Sequence, residues 1–320
     1  MVAHWLAELD GRRVAVEVPA SSANLGAGYD CLGLALDLVN QVEVEVRGWS
    51  RGQIELTVDG EGAGELTGDR ENRFVQGLET ALRQVRGELP DGVGWRIEMR
   101  NRIPLSRGLG SSAAATVAGI LAADALLDGV LDAPAMLRIA TAVEGHPDNA
   151  AAALLGGFVA SADGEQGVEA VRFDATRDLR AVLFIPVLRL STSDMRRALP
   201  TTVPLADAVA NLGAVAVGVA GLAAGRTDVL RRLTADRLHE PYRAAAYPQL
   251  PLLVAAAREA GALGASLSGA GSTIIAFTDR VATASRIKAA LLAVAAQEDL
   301  PGRVVIARPR NHGAQVLRRS

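Results

Sequence analysis

An α+β protein of two domains is what the sequence predicts, on three observations. Residues 13–18, 42–46, 54–58 and 95–99 alternate apolar and polar side chains, the pattern of strands with one buried face. Long stretches rich in alanine and leucine, with helical spacing, run between and after them. The two kinds of element do not alternate regularly, which favours a mixed sheet covered by helices over a doubly wound parallel sheet. A length of 320 residues accommodates two domains, each with its own core. Aromatic residues make up only 3%, so leucine, valine and alanine must fill those cores.

Taken in order, residues 13–18 open the first sheet. Residues 19–33 form a loop of small residues and glycines with Asn24 and Asp30 as polar tips. Strands at 42–46 and 54–58 precede a solvated loop at 59–69, and Asn72 is placed to cap a helix running to about residue 86. The strand at 95–99 feeds a glycine-rich turn at 104–111, from which a helix runs over 112–127. Asp132 and Pro134 start a further helix at 136–143. After a strand at 156–161, the polar turn 163–167 marks the expected boundary, giving domains 1–162 and 163–320. Beyond it, strands at 168–173, 180–186, 273–277 and 303–307 join helices at 190–200, 204–224, 228–233, 250–261 and 281–296. That half reads as a two-layer α/β sandwich.

Composition excludes several classes of function. A formal net charge of −3 offers no basic face for nucleic acid. The single Cys31 cannot form an internal disulfide, suits a reducing compartment and reads as a small core residue. Glu8 and Asp10 interrupt the start, so no secretory leader is expected and the expected location is cytoplasmic. Residues 208–224 have the composition of a membrane span. They fall short of the roughly 20 residues a span needs, and they carry Asn211 and three glycines. A buried helix is expected there, and no membrane partner.

The chemistry gathers in five stretches besides the loop at 19–33. Pro104-Leu-Ser-Arg-Gly-Leu-Gly-Ser-Ser-Ala sits between a strand and a helix. Gly108 and Gly110 let backbone N–H groups approach an anion, Ser111 and Ser112 offer capping hydroxyls, and the helix start adds free donors and the positive end of its dipole. A turn that merely caps a helix has much the same look. The string is neither a P-loop, since no Lys-Ser/Thr follows, nor a dinucleotide fingerprint, since Ala113 replaces a third glycine. The second stretch, Glu144-Gly-His-Pro-Asp-Asn, places polar groups between two alanine-rich helices, either as a charged turn or as part of a site. The third holds Arg196 in a Ser/Thr-capped turn before Leu-Pro, and the fourth holds Arg243 after Pro-Tyr. The fifth, residues 265–273, is a second glycine-rich turn containing Gly269 and Gly271.

The string from Pro104 to Ala113, the segment 19–33 and the Glu144–Asn149 cluster together resemble the GHMP kinases. That superfamily comprises galactokinase, homoserine kinase, mevalonate kinase and phosphomevalonate kinase, and the pattern is nearest the homoserine kinase branch. The resemblance runs from about Val14 to the C-terminus. It implies an N-terminal domain of the ribosomal-protein-S5-domain-2-like type and a ferredoxin-like C-terminal α/β sandwich. It also implies ATP held by Pro104, Leu105, Ser106, Arg107, Gly108, Leu109, Gly110, Ser111, Ser112 and Ala113, with Asn72 near the adenine. Mg²⁺ needs hard oxygens, and Ser112 with Glu144 is the pair assigned to it. The acceptor residues implied are Asn24, Asp30, His146, Asn149, Arg196, Arg243, Gly269 and Gly271. A carboxylate at Asp30 suits an ammonium group, and guanidinium forks at Arg196 and Arg243 suit a carboxylate.

Asn149, Glu144 and Ser112 are the expected catalytic set. Where mevalonate and galactose kinases carry an aspartate, this chain has Asn149, so no strong base is expected at that spot. Phosphoryl transfer tolerates this, because it depends mainly on positioning and charge neutralisation. The activity implied is ATP-dependent phosphorylation of L-homoserine to O-phospho-L-homoserine, a step of threonine biosynthesis. Two alternatives stand beside it: another GHMP kinase acting on a sugar or a mevalonate-type alcohol, and a nucleotide-binding regulator without turnover. The resemblance also allows a homodimer.

Overall fold

The computed structural model describes residues 4–48, 52–89, 92–165 and 167–320. The elements run α1 (His4–Leu9), β1 (Arg13–Ala23), β2 (Leu32–Arg47), β3 (Ile54–Gly60), α2 (Arg73–Arg86), β4 (Gly94–Asn101), α3 (Ser111–Leu126), α4 (Ala133–Glu144), α5 (Asp148–Leu155), β5 (Phe158–Gly164), β6 (Gly167–Phe173) and β7 (Arg180–Pro186). The second half continues with α6 (Thr192–Arg197), α7 (Leu205–Ala223), α8 (Leu230–Leu233), α9 (Glu240–Arg243), α10 (Leu250–Glu259), β8 (Gly264–Leu267), β9 (Ile274–Thr278), α11 (Val281–Gln297), β10 (Gly302–Ala307) and β11 (Gln315–Arg319).

The first sheet is mixed, as expected, with the order β11-β1-β2-β4-β3. β2 is long enough to have two partners on one edge: its first residues pair with β5 and its last seven with β4. β3 and β4 run parallel, joined through α2, and the other pairings in this sheet are antiparallel. Val14, Val16 and Val18 turn one face of β1 into the core. The strand does not stop at residue 18. It continues through Pro19 to Ala23, with a register shift after Pro19, so only residues 24–31 of the predicted loop leave the sheet.

Helix α3 is buried on nearly every side, because small residues line it. A Cβ on Gly119 would lie 2.0 Å from the Phe74 carbonyl oxygen, and one on Gly77 would lie 2.3 Å from that of Thr116. Those two glycines let the backbones of α2 and α3 touch, which fixes the helix that carries the central glycine turn.

The second sheet, β10-β7-β9-β8, is antiparallel and carries α10 and α11, giving the expected two-layer sandwich. The predicted boundary needs correction. Residues 163–167 are the tip of the β5–β6 hairpin, and both its strands belong to the first sheet. The chain crosses to the second sheet between Phe173 and Arg180, then returns at its end to add β11 to β1. A polar hairpin tip and a linker share the same composition, so the sequence could not separate them.

The expectation of a buried helix at 208–224 also fails. In α7 only Asn211, Ala214, Gly218 and Leu222 are buried, while Leu205, Val209, Leu212 and Val217 stand out into solvent. By length and composition this helix is long and apolar enough to cross a membrane.

Candidate active site

The three glycine-bearing stretches meet at one place. Backbone bonds pin them together: Ser21 N–H to the Leu109 carbonyl at 3.1 Å, Gly269 N–H to Ala23 at 3.1 Å and Thr273 N–H to Arg107 at 3.1 Å. Ser268 Oγ adds a bond to the Gly108 carbonyl at 2.6 Å. Contact is so close that a Cβ on Gly108 would lie 2.0 Å from the Ser268 carbonyl oxygen, and one on Gly110 would lie 2.1 Å from Ser21 Oγ. Both glycines also hold positive φ, +72° and +67°. The turn at 268–273 thus buttresses the loop at 104–110.

Helix α3 starts at Ser111 with Gly110 as its N-cap, and no side chain caps it. Ser111 and Ser112 therefore lie within the first turn and do not cap it as expected. The first-turn amides face the cavity, where the helix dipole favours an anion. This cavity, about 480 Å³, is lined by the loop from Leu105 to Gly108, by Gly110 to Ala115, and by Glu144, His146, Asp148 and Asn149. Val42, Leu66, Met99 and Leu105 supply apolar wall at the same cavity, beside Thr67 and Asn72.

Glu144 reaches the helix start from the end of α4. Its Oε1 accepts from Ser112 Oγ at 2.9 Å and from Thr116 Oγ1 at 2.6 Å, which leaves Oε2 with no protein donor among the described residues. The predicted metal pair is thus brought together, and a carboxylate with a hydroxyl beside a phosphate nest is a hard-oxygen set that fits Mg²⁺.

Four residues after Glu144, Asp148 is buried and its Oδ1 lies 2.9 Å from His146 Nδ1. That hydrogen bond raises the His146 pKa above its usual value against the opposing effect of burial. Asn149 sits at the cavity wall with Oδ1 accepting from Ser21 Oγ at 2.9 Å.

The acceptor end carries the paired charges. Asn24 lines the cavity and is tied at both ends of its amide: its nitrogen donates to the Gly269 carbonyl at 3.0 Å and its oxygen accepts from Asp30 N–H at 3.1 Å. Asp30 is held at φ +56° by that bond, and its carboxylate meets Arg196 in a two-point pair. Arg243 is buried. Its Nη1 donates to the Gly269 carbonyl at 2.9 Å and reaches His239 Nδ1 at 3.1 Å, while its Nη2 has no protein acceptor among the described residues. An arginine only donates, so His239 Nδ1 accepts and Nε2–H donates to the Gly26 carbonyl, 2.7 Å away. Burial agrees, pulling the His239 pKa down to about 4 and keeping the ring neutral.

Not every predicted residue reaches the cavity. Pro104 and Leu109 are buried behind the loop, and Gly271 packs against Leu267 while its neighbour Ala270 lines the wall. Asn72 lines the cavity, but its oxygen caps α2 through Phe74 N–H and its amide donates to the Thr67 carbonyl. Arg107 lines it too, with its guanidinium spent on the carbonyls of Leu105, Pro186 and Val187. Cys31 is half-buried, and burial followed by the nearby Asp148 and Asp30 pushes its thiol up to about 11, which disfavours the thiolate. Sequence reasoning missed Tyr29, Thr116 and the holding role of Asp148. Tyr29 is adjacent to Asp30 in the motif, which was the available signal. Thr116 follows Ser112 by one helical turn and faces the same way.

An anion nest at a helix start, a carboxylate–hydroxyl pair beside it and an acceptor pocket lined with fixed charges define a small-molecule phosphotransferase site. Residues 73–157 match the family model for the GHMP kinases N terminal domain, and residues 206–297 match that for the GHMP kinases C terminal. The chain belongs to the GHMP kinase family. It is 42% identical over 303 residues to a homoserine kinase of Moorella thermoacetica, covering 94% of this chain and 99% of the relative. It is 44% identical over 272 residues to a homoserine kinase of Corynebacterium efficiens, covering 83% and 85%. A crystal structure of homoserine kinase from Cytophaga hutchinsonii superposes with a TM-score of 0.84 at 31% identity, covering 95% of this chain and 97% of that one. An L. major mevalonate kinase, in complex with R-mevalonate, shares the fold at 15% identity, with a TM-score of 0.65.

Proposed function

We propose that the protein phosphorylates the side-chain hydroxyl of L-homoserine with ATP, giving O-phospho-L-homoserine, the precursor of threonine. The observation that carries this reading is the charge arrangement at the acceptor end: Asp30, Arg196 and Arg243 line one cavity with the glycine loop and Glu144. An amino-acid head presents one ammonium and one carboxylate, which these groups complement. Sugars and mevalonate lack that combination.

The residues divide the work as follows. Amides at the start of α3 bind the phosphates, and Gly108 and Gly110 keep the approach open. The apolar wall of Val42, Leu66, Met99 and Leu105 receives the base. Ser112 and Glu144 would hold Mg²⁺, which would supply neutralisation of phosphate charge. Asp30 binds the ammonium, while Arg196 and the free Nη2 of Arg243 bind the carboxylate. His146, whose pKa the bond to Asp148 raises against burial, lines the same wall.

Among the described residues at the cavity, Glu144 is assigned to the cation and Asp30 to the ammonium, so neither is left to act as a base. Asp148 Oδ1 is engaged by His146 and by Asn149 N–H, and Asn149 does not titrate. The hydroxyl proton therefore leaves to solvent or to the transferred phosphoryl group, which a loose transition state tolerates. Arg243→Ala tests the reading. It should raise the KM for homoserine at least tenfold and the KM for ATP far less, since the only ligand contact assigned to Arg243 is with the acceptor, its other bonds being to Gly269, Met195 and His239. Equal rises in both would sink the assignment.

A further inference from the structure

Tyr29 touches the cationic groups of the acceptor pocket, and nothing in the reaction as derived above uses it. Its hydroxyl accepts from Arg196 Nη1 at 2.9 Å. Its ring centroid lies 5.5 Å from the guanidinium carbon of Arg196 and 5.4 Å from that of Arg243, both within the range in which a cation is attracted to an aromatic ring. A third neighbour, the neutral His239 ring, packs on it at 5.3 Å with a 35° tilt. His239 in turn accepts from Arg243. The backbone leaves Tyr29 little freedom, because Asn24 ties down the next residue and Gly28 N–H bonds the Asn24 carbonyl at 3.0 Å.

Two guanidinium groups aimed at one carboxylate repel each other until that carboxylate arrives. Asp30 neutralises Arg196 on one side only. Arg243 has no carboxylate partner of its own among the described residues, and its fixed contacts are carbonyls and a neutral imidazole. An aromatic ring next to both cations offsets part of that repulsion without supplying a competing anion, which a second carboxylate would do. The ring also stays neutral: burial, and then Asp30, push the phenol above its ordinary range.

We infer that Tyr29 is a positioning residue for the acceptor's carboxylate, holding Arg196 through its hydroxyl and ring and Arg243 through its ring, so that both guanidinium groups face one anion. This rests on the proposed reading that the two arginines bind that carboxylate.

The test compares L-homoserine with 3-aminopropan-1-ol, the same alcohol and amine without the carboxylate, on wild type, Tyr29→Phe and Tyr29→Leu. Tyr29→Leu should lower kcat/KM for homoserine about tenfold or more, the loss expected for about 1.4 kcal/mol of cation–π contact. Its activity on 3-aminopropan-1-ol and its KM for ATP should stay within twofold of wild type. Tyr29→Phe keeps the ring and should recover most of the loss. A loss of equal size on both acceptors would overturn the proposal by making Tyr29 a general support of the loop, and so would unchanged kinetics on both. Should Tyr29→Leu not fold, Tyr29→Phe decides alone: a two- to fourfold loss confined to homoserine supports the proposal, and no acceptor-dependent loss overturns it. Arg243→Ala serves as the control. If it too affects both acceptors alike, the carboxylate reading itself has failed; if it is selective and Tyr29→Leu is not, only the role of Tyr29 has.

Discussion

Arg196 and Asp30 are each other's counter-ion: Nη1 meets Oδ2 at 2.8 Å and Nη2 meets Oδ1 at 2.7 Å, a fork-on-fork pair at the mouth of the acceptor pocket. The two side chains are 38% and 33% exposed, so solvent screens the pair and its own contribution to stability is small. Its effect on selection is larger. A zwitterion brings a new partner for each member, whereas an anion alone would take Arg196 and strand Asp30.

The first prediction follows from that exchange. Asp30→Asn should raise the KM for homoserine about tenfold and lower that for 4-hydroxybutyrate, which lacks the amino group. Asparagine tolerates the left-handed backbone at this position, so the loop should keep its shape. Steady-state kinetics on the two acceptors checks it, and parallel rises in both KM values would contradict it.

Glu144 is bonded by two hydroxyls through a single oxygen, which leaves the other for a cation. Glu144→Gln keeps the shape and removes the charge. It should lower kcat by about 10²–10³, the size of effect seen when an electrostatic stabiliser is lost. The Mg²⁺ concentration for half-maximal activity should rise as well. An unchanged Mg²⁺ titration would place the metal elsewhere.

Glu240 gives a pH prediction away from the chemistry. It opens α9, partly buried one helical turn before Arg243, and accepts from Leu267 N–H at 2.7 Å. Burial raises its pKa from 4.5 to about 8, Asp236 adds to the rise, and the Leu267 bond, Arg258 and Arg243 oppose it. With the folded value above the unfolded one, the stability it contributes is full below about pH 4.5. That contribution is lost as pH rises through about 8. Glu240→Gln keeps an acceptor for Leu267 and removes the titration. Its Tm relative to wild type should climb from pH 4.5 to 8, as thermal melts across that range would show; a constant difference would refute it.

Gly119→Ala tests the contact between α2 and α3. Helix propensity alone predicts a gain of roughly 1 kcal/mol for this change. The new methyl would lie 2.0 Å from the Phe74 carbonyl oxygen, so overpacking should win and destabilise the protein by about 1–3 kcal/mol. Chemical denaturation reads the sign.

The strands and helices were legible because they follow hydrophobic period and capping residues. Asn72 and Asp132 each cap the helix they were placed before, and of the Ser/Thr residues expected to cap α6 it is Ser191 that does so. The glycine turn was legible too, since only glycine fits at Gly108 and Gly110. Partnerships made across the fold were not. β11 returns to β1 from the far end of the chain, and nothing in residues 315–319 says which strand they join. The outward face of α7 was misjudged because an apolar helix looks the same whether buried or exposed. Asn24 and Asn72 were assigned to ligands through the resemblance; both line the cavity, and their hydrogen bonds also hold the loop and the helix start. Tyr29 escaped notice because its role exists only once Arg196 and Arg243, far along the chain, arrive beside it.

The most direct measurement is ADP release with ATP and Mg²⁺ in the presence of L-homoserine, R-mevalonate or galactose, each supplied alone. Rapid release with homoserine and only background with the other two is the result predicted. Faster release with mevalonate or galactose, or none with any of the three, would contradict the account.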